Sequence, residues 1–238
     1  MNILGIITAR GGSKGIPKKN LRKINKKPLI QYTIEAAKKS KINKLIVSTD
    51  DKKIAALSKS LKIEVPFLRP KNISQDNTAT IDVIKHALKF LSKKNKYHPE
   101  IIVILQPTSP LRTKQMINDS IEALQRTNAT SVLSVSKTTH SPFTTFSYNL
   151  KYLKPFSKKF EKYNRRQLYP TLYYPNGSIY ILWAKTLTKY DSLFGPRIKP
   201  LIINEKFSVD IDNVFDMFVT EMIMLHWKKY EKSFKKKY

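Results

Sequence analysis

No cysteine occurs among the 238 residues of this sequence. That absence excludes disulfide bonds, thiolate metal sites and a cysteine nucleophile, and it is compatible with a reducing cytoplasm. No stretch approaches the roughly 20 apolar residues that a membrane-spanning helix requires. The apolar residues 1–9 have no basic leader and run directly into Arg10, the reverse of the order in a secretory signal. We therefore expect a soluble, cytoplasmic protein without membrane insertion.

Acidic residues are scarce: 17 Asp and Glu stand against 45 Lys and Arg, which gives a formal net charge of +28. A chain of this charge attracts polyanions, and nucleic acid is the first candidate. The lysines, however, are spread over almost every predicted helix and both termini. They form no concentrated stripe, and no aromatic platform for stacking bases accompanies them. The pattern favours general over-use of lysine, and a specific nucleic-acid surface is not expected.

Hydrophobic residues make up 41% of the chain, enough for one sizeable core, and strand-like and helix-like patterns alternate. Strands are predicted at residues 2–9, 44–49, 63–68, 100–105, 131–136, 178–183 and 201–203. Helices are predicted from Pro28 onward, after Asp51, at 78–91, at about 114–126 and from about 213. Repeated βα units of this kind predict an α/β fold, with a mostly parallel sheet sandwiched by helices.

Residues 138–174 interrupt this alternation. The segment is rich in Pro, Tyr, Phe and Lys and shows no sustained period. Exposed aromatic residues in such a segment indicate contact with a partner. Because no repeat or low-complexity linker is evident, we predict a single domain, 1–238, from which 138–174 projects as an arm.

The loop that follows the first predicted strand, residues 10–20, has the composition of a polyphosphate cradle. Its glycines let backbone N–H groups approach an anion, and it carries Arg10, Lys14, Lys18 and Lys19. Its spacing matches neither a Walker A loop nor a dinucleotide fingerprint. On these residues alone, a surface loop of a lysine-rich protein explains it equally well.

Two acids near the C-terminus, Asp210 and Asp212, stand two positions apart in a segment predicted to be extended. The two-residue period of an extended chain points both carboxylates to one face, where they repel unless a cation compensates. Mg²⁺ suits such a pair, since it is commonly held by one or two carboxylates together with substrate phosphate oxygens. The alternative, that Asp212 caps the final helix, leaves Asp210 unexplained. A cationic cradle with a carboxylate-held metal is typical of nucleotidyl transfer.

Ordered motifs along nearly the whole chain resemble those of the acylneuraminate cytidylyltransferases, also called CMP-sialic acid synthetases. These are ARGGSKGIPKKN at 9–20, VSTDD at 47–51, LRP at 68–70, Asp76, Asp82, LQPTSPLR at 105–112, NGSIYI at 176–181 and DID at 210–212. The related ketodeoxyoctonate synthetases typically carry Arg-x-Pro-x-Lys-Pro in the first loop, and pseudaminate cytidylyltransferases usually lack the QPTSP loop. Both differences favour the acylneuraminate form. One departure is Thr8, where relatives often have Pro or an aliphatic residue.

The resemblance implies a Rossmann-like nucleotidyltransferase fold and a set of site residues. For the nucleotide, CTP, it implies Arg10, Ser13, Lys14, Lys19, Asn20 and Arg69, the first four on the phosphates. For the sugar it implies Gln106, Arg166 and Tyr180, and for Mg²⁺ it implies Asp210 and Asp212. Within this set, Lys19, Arg10 and Asp212 are the expected catalytic residues. No side chain in the motifs is an obvious general base.

The implied reaction is transfer of CMP from CTP to the anomeric hydroxyl of an N-acylneuraminate, a nonulosonic acid, which gives the CMP-sugar and diphosphate. The arm at 138–174 corresponds to the dimerisation arm of the family, so a homodimer is expected, with Arg166 acting in a pocket shared with the partner. The arm is also the least similar segment, so the identity of the sugar is the least constrained property. Two alternatives remain: the same reaction on legionaminate or another nonulosonic acid, and a non-catalytic polyanion-binding protein.

Overall fold

The computed structural model describes residues 1–163 and 165–235, apart from the side chains of Arg166 and Lys235. The strands of this part of the chain are β1 (Ile3–Thr8), β2 (Lys23–Ile24), β3 (Lys27–Pro28), β4 (Lys44–Ser48), β5 (Ile101–Leu105), β6 (Ser131–Lys137), β7 (Phe146–Tyr148), β8 (Leu153–Pro155), β9 (Tyr173–Trp183) and β10 (Ile198–Ile202). The helices are α1 (Leu29–Lys38), α2 (Lys52–Ser60), α3 (Thr80–Asn95), α4 (Lys114–Gln125), α5 (Ala184–Tyr190) and α6 (Val214–Lys235). Within the described residues, no helix is both long and apolar enough to cross a membrane.

A six-stranded sheet in the order β10-β6-β9-β5-β1-β4 forms the centre of the fold. Strand β1 pairs in parallel with β4 and β5, and β10 pairs in parallel with β6. Strand β9 runs antiparallel to both β5 and β6. Because β6 leads into the arm and β9 leaves it, the chain returns at the same edge of the sheet and β9 must run backward. The predicted mostly parallel α/β fold is confirmed, with β9 as its antiparallel member.

Two apolar layers cover the sheet, one on each face. Successive residues of β5 alternate between them: Val103 packs in the layer with α1 and α4, and Ile104 packs in the layer with α3 and α5. All five residues of β5 are fully buried, which explains its unbroken apolar run, since a central strand covered on both faces shows no polar alternation. The helices therefore lie on both faces, as predicted.

Some predicted element boundaries were wrong. The strand predicted at 63–68 forms only two isolated bridges, Ile46 to Glu64 and Thr49 to Leu68, because Pro66 lies between them and has no N–H to donate to a continuous ladder. Pro28 does not open the first helix; it ends β3 and immediately precedes α1. Helix α3 begins two residues later than predicted and continues to Asn95.

The segment 138–174 leaves the sheet as predicted, although β9 already begins at Tyr173. It contains the β7–β8 hairpin, in which Tyr148 and Leu153 are exposed. Some of its aromatic rings pack on one another, such as Phe143 on Tyr163 with ring centroids 4.6 Å apart. The arm thus has local order but leaves apolar surface uncovered within this chain. A role in dimerisation and the single-domain division remain predictions.

A small third apolar cluster joins the loop 10–20 to the segment before α6. Ile16 and Ile211 are buried together in it, and the first turn of α1 completes it through Leu29. Beside this cluster the loop lies so close to its neighbour that a Cβ atom built on Gly15 would overlap the carbonyl oxygen of Asp212. The close approach of two backbones explains the glycine at this position. Packing between distant segments therefore sets the position of the loop relative to the acids.

Replacing Gly15 with alanine should separate these two segments. Relief of an overlap with backbone requires a shift of the main chain, so we expect a loss of about 1–3 kcal/mol in the free energy of unfolding. Gly12→Ala is the matched control, because a Cβ there meets nothing within 4 Å. Thermal and urea unfolding of the two variants measure the difference. Equal stability of Gly15→Ala and Gly12→Ala would contradict the proposed contact.

Candidate active site

An open cavity lies at the carboxyl ends of β1 and β5, where ligands bind in sheets of this kind. Six residues predicted from the sequence line it: Arg10, Ser13, Lys19, Asn20, Arg69 and Gln106. They come from segments far apart in the chain, which the parallel strands bring to one edge of the sheet. The further lining residues are Thr8, Gly12, Gln75, Asp76, Thr78, Thr80, Val83, Pro107 and Thr108.

Lys19 connects the cationic loop with the acidic segment. It begins a short 3-10 turn, and its side chain is only 13% exposed. Its ammonium group donates to the carbonyl oxygen of Ile211 at 2.6 Å and to Oδ1 of Asp212 at 3.0 Å. Because it also lines the cavity, its positive charge is held at the point where cradle and carboxylates meet.

The acidic segment is fixed by backbone contacts as well. The N–H of Ile211 donates to the carbonyl oxygen of Thr108, which ties the segment to the loop after β5. Asp212 does not cap α6. Asn213 does so by accepting from the N–H of Asp216, whose carboxylate in turn accepts from the backbone N–H groups of Asp212 and Asn213. The side chain of Asp212 is therefore free to meet Lys19, and the capping explanation is wrong.

Asp210 is a largely buried acid without full compensation. Burial raises the pKa of its carboxyl group, and the charge of Asp212 raises it further. A hydrogen bond with Thr108 and the positive charges of Lys19 and Arg112 lower it, but the net change is upward. Its buried Oδ1 atom has no hydrogen-bond partner within the described structure. A group of this kind is costly to bury, and a cation would relieve the cost.

The acid pair fits a divalent cation that also contacts a ligand. Among residues 1–163 and 165–235, no group of three or more His, Cys, Asp or Glu side chains could hold a metal by itself. Two carboxylates, one with an unpartnered buried oxygen, would leave the other coordination positions to phosphate oxygens and water. Asp210 and Asp212 are therefore the residues that could hold such an ion.

Asn20 and Arg69 are buried beside the first loop. Asn20 donates through Nδ2 to the carbonyl oxygen of Arg10 at 2.9 Å, and its Oδ1 atom has no partner in the described residues. Arg69 donates to the carbonyl and hydroxyl oxygens of Ser48 at 2.5 and 3.2 Å. Burial lowers the pKa of Arg69 and the charge of Asp50 opposes that change. Both side chains are thus anchored to the backbone and also border the cavity.

The loop after β5 is held from within by Arg112, to which the sequence analysis gave no separate role. Its guanidinium group is buried and donates to the carbonyl oxygens of Gln106 and Ser178 at 2.6 and 2.7 Å. Burial lowers its pKa to about 9, so the group remains charged at neutral pH. Arg112 therefore fixes the backbone of Gln106, whose side chain borders the cavity. The sequence signal that could have indicated this buried role is the position of the arginine directly after the apolar pair Pro110-Leu111.

Besides the acid pair, which does not line the cavity, three further predicted site residues are absent from its lining. Lys14 is exposed at the rim, where its ammonium group pairs with Asp76 at 3.0 Å. Tyr180 is half-buried on β9, in the layer beside Ile104 and with its ring 6.3 Å from that of Phe194. Burial raises its pKa, and the charge of Asp210 adds to the rise. The side chain of Arg166 lies outside the described residues.

The structure also adds residues that were missed. Asp76 was recognised as part of a motif but given no role, and it borders the cavity with Gln75 and Thr78. Thr8, the one departure from the family pattern, lies in the same lining. No periodicity marks these positions, because loops bring them to the cavity. Only the order of motifs in the chain could have indicated them.

Cations line the cavity at the carboxyl edge of a Rossmann-like sheet, and the acid pair adjoins it where Lys19 contacts Asp212. Together these features define a nucleotidyltransferase as the class of protein. A family model described as cytidylyltransferase matches residues 4–204, and the chain belongs to this family. That membership confirms the resemblance seen in the motifs.

Named relatives of this chain are also cytidylyltransferases or CMP-sugar synthases. The chain is 35% identical over 233 residues to CMP-N,N'-diacetyllegionaminic acid synthase of Legionella pneumophila, covering 94% of this chain and 97% of that protein. It is 31% identical over 224 residues to N-acylneuraminate cytidylyltransferase of Escherichia coli, covering 90% of this chain and 50% of that protein.

Solved structures confirm the fold. The structure of CMP:2-keto-3-deoxy-manno-octonic acid synthetase complexed with CTP superimposes with a TM-score of 0.68. The match covers 94% of this chain and 98% of the other, at 17% sequence identity. At that identity the likeness concerns the fold alone.

Replacing Asp210 with asparagine should stabilise the protein in the absence of metal while it removes a cation ligand. Because the folded pKa of this carboxyl lies above its ordinary value, its contribution to stability is most favourable below about pH 4 and is lost as the pH rises through the folded pKa. At pH 7 the charged group, whose buried Oδ1 atom has no partner among the described residues, costs about 1–3 kcal/mol.

Thermal unfolding between pH 4 and pH 8 in a chelator tests this expectation. The variant should melt at a higher temperature than the wild type at pH 7, and the gap should close toward pH 4. Added divalent cation should raise the melting temperature of the wild type more than that of the variant. A variant that is less stable than the wild type at pH 7 would show that the buried carboxylate is already compensated.

Proposed function

We propose that this cytidylyltransferase transfers CMP from CTP to the anomeric hydroxyl of an N-acylneuraminate or a closely related nonulosonic acid, giving the CMP-sugar and diphosphate. The observation that carries the proposal is the position of Lys19. Its ammonium group borders the cavity and contacts Ile211 and Asp212, so the cationic loop and the acid pair form a single site. A protein that binds polyanions through its net charge alone has no need for a pair of acids beside that lysine.

The triphosphate would lie along the first loop. Arg10, Ser13 and Lys19 border the cavity and offer the cations and hydroxyl that phosphate oxygens require. Lys14, at the rim, would reach the outer phosphates. Charged groups that donate hydrogen bonds in a partly enclosed site are the main source of transition-state stabilisation in phosphoryl and nucleotidyl transfer.

The cytidine would lie between Asn20 and Arg69. The buried Oδ1 of Asn20 is an acceptor with no partner in the described part of the chain, which suits a hydroxyl or amino group of the nucleoside. Arg69 is held by Ser48, so its orientation is set before the nucleotide arrives. An unpaired acceptor at a fixed place favours a nucleoside that supplies the matching donor.

Asp210 and Asp212 would hold the divalent cation, for which Mg²⁺ is the natural choice because it favours carboxylates together with phosphate oxygens. When bound, such an ion supplies positive charge that neutralises the attacked phosphate and the departing diphosphate. Within the chain, Lys19 stabilises the same developing charge. Its contact with Asp212 holds the ammonium group at the acid pair, where the α-phosphate would lie.

The anomeric hydroxyl of the sugar would attack the α-phosphate in line and expel diphosphate. The sugar keeps its own C–O bond in this reaction, so the anomeric configuration is retained. Positioning of the two substrates in the cavity supplies much of the rate. No general base is assigned, and Asp212 is the carboxylate nearest to Lys19 that could accept the proton.

The sugar would contact Gln106, whose backbone is fixed by Arg112, and would extend toward Tyr180 and the arm. Arg166 is the residue proposed to bind the sugar carboxylate, because a guanidinium group matches a carboxylate in a bidentate pair. The arm exposes Tyr148 and Leu153, which supports a homodimer in which this apolar surface is covered. The sugar pocket would then include the partner.

Legionaminate is the second candidate sugar. The Legionella pneumophila relative, whose name specifies the diacetyl form of that sugar, matches this chain at 35% identity over nearly its full length. The site residues discussed above serve both sugars, so they do not separate the two candidates.

A diphosphate-release assay with CTP, Mg²⁺ and a panel of nonulosonic acids tests the proposal. N-acetylneuraminate, N,N'-diacetyllegionaminate and pseudaminate form the panel. The eight-carbon acid ketodeoxyoctonate is the sugar control, and ATP, GTP and UTP replace CTP as nucleotide controls. We expect release only with CTP together with a nonulosonic acid. Tight, salt-sensitive binding of nucleic acid without any release would instead support the polyanion-binding alternative.

Replacing Lys19 with alanine should lower kcat about 100-fold or more, by analogy with the loss of one transition-state donor. Lys18→Ala is the matched control, since Lys18 is an exposed neighbour on the same loop that does not border the cavity. Steady-state kinetics and circular dichroism of both variants measure activity and fold. Near-normal turnover in folded Lys19→Ala would rule out the role given to this lysine.

A further inference from the structure

Asp76 lies across the cavity from the cationic loop and contacts two of its cations. Its Oδ1 atom pairs with Nη1 of Arg10, and its Oδ2 atom pairs with Nζ of Lys14 at 3.0 Å. In the described part of the chain, no other carboxylate forms an ion pair with either cation. One acid therefore pairs with two cations at the edge of the phosphate site, and its single negative charge compensates one of their two positive charges.

These are the same cations that would bind the triphosphate. A guanidinium or ammonium group cannot keep a carboxylate oxygen in place and direct the same N–H donor at a phosphate oxygen. Each N–H donor that now points at Asp76 must leave it before it can bind a phosphate oxygen. Both pairs are open to solvent, with Asp76 41% exposed, Arg10 34% and Lys14 81% exposed, and exposed pairs of this kind are weak and exchange readily.

The segment that carries Asp76 is held by its own hydrogen bonds. The N–H of Gln75 donates to Oγ1 of Thr78, the N–H of Thr78 donates to the carbonyl oxygen of Gln75, and Nε2 of Gln75 reaches the carbonyl oxygen of Lys71. None of these bonds uses the carboxylate of Asp76. The acid can therefore release both cations without loss of the local turn.

We propose that Asp76 is a displaceable internal counter-ion of the phosphate site. It holds Arg10 and Lys14 while the site is empty, gives them up to the triphosphate, and pairs with them again as diphosphate departs. The carboxylate thus competes with the polyphosphate, lowers its affinity and speeds its release. This inference rests on the proposed function, because it requires that phosphates bind at this loop. Asp76 acts through the two cations and is a positioning residue.

The test is Asp76→Asn, which keeps the shape of the side chain and removes its charge. Calorimetric titration with CTP and, separately, with inorganic diphosphate should show affinities about three- to tenfold tighter than in the wild type, as expected for the removal of two weak competing pairs. In steady state, KM for CTP and the inhibition constant of diphosphate should fall. Turnover should fall as well, because the product leaves more slowly.

Glu64→Gln is the matched control. Glu64 pairs with Lys44 at 2.5 Å and is 40% exposed, close to the exposure of Asp76, but it does not border the cavity. The Glu64→Gln substitution removes the same unit of negative charge as Asp76→Asn. Any gain in affinity that arises only from the higher net charge of the protein will therefore appear in both variants. A gain in Asp76→Asn beyond that of Glu64→Gln supports the counter-ion.

The outcomes distinguish failure of the proposed function from failure of the counter-ion role of Asp76. Wild-type protein that binds neither CTP nor diphosphate contradicts the proposed function, and the counter-ion with it. Wild-type protein that binds both, with Asp76→Asn equal or weaker in affinity, contradicts the counter-ion alone and indicates that Asp76 instead prepares the cations for the phosphates. If Asp76→Asn does not fold, Asp76→Ser provides the same comparison with a smaller side chain.

Discussion

The contact of Lys19 with Ile211 and Asp212 is the interaction on which the site depends. It joins residues 192 and 193 positions apart and brings the loop after the first strand against the segment before the last helix. The buried side chains of Ile16 and Ile211 belong to one apolar cluster and hold the same two segments together. If these segments separated, the cations and the carboxylates would face different spaces, and no single triphosphate could contact both.

The site concentrates charges that are only partly compensated within the protein. Among the described residues, one oxygen of the largely buried Asp210 has no partner, and the cations Arg10 and Lys14 share a single carboxylate. The first condition costs stability, and a bound cation would relieve it, whereas the exposed cations would gain a partner in a bound polyphosphate. The two apolar layers that cover the sheet stabilise the fold and so offset the cost of this site.

Several parts of the fold could be predicted from the sequence because they depend on residues close together in the chain. The unbroken apolar run of β5 indicated a strand buried on both faces, and Asp51 was predicted correctly at the start of α2, where its carboxylate accepts from the N–H groups of Lys53 and Ile54. The direction of β9 was not readable, because it depends on the edge of the sheet at which the arm returns. The strand predicted at 63–68 also failed, since apolar composition alone does not provide the continuous N–H donors of a ladder.

The sequence by itself determined the family of the protein and indicated the candidate site residues, because loop composition and the order of motifs are linear properties. Six of the predicted site residues line one cavity for this reason. The tertiary structure alone decided how those residues are paired: Lys19 with Asp212, Asp76 with two cations, and Arg112 beneath the loop of Gln106. Such pairings depend on distances between segments far apart in the chain, and these distances are set only when the core packs.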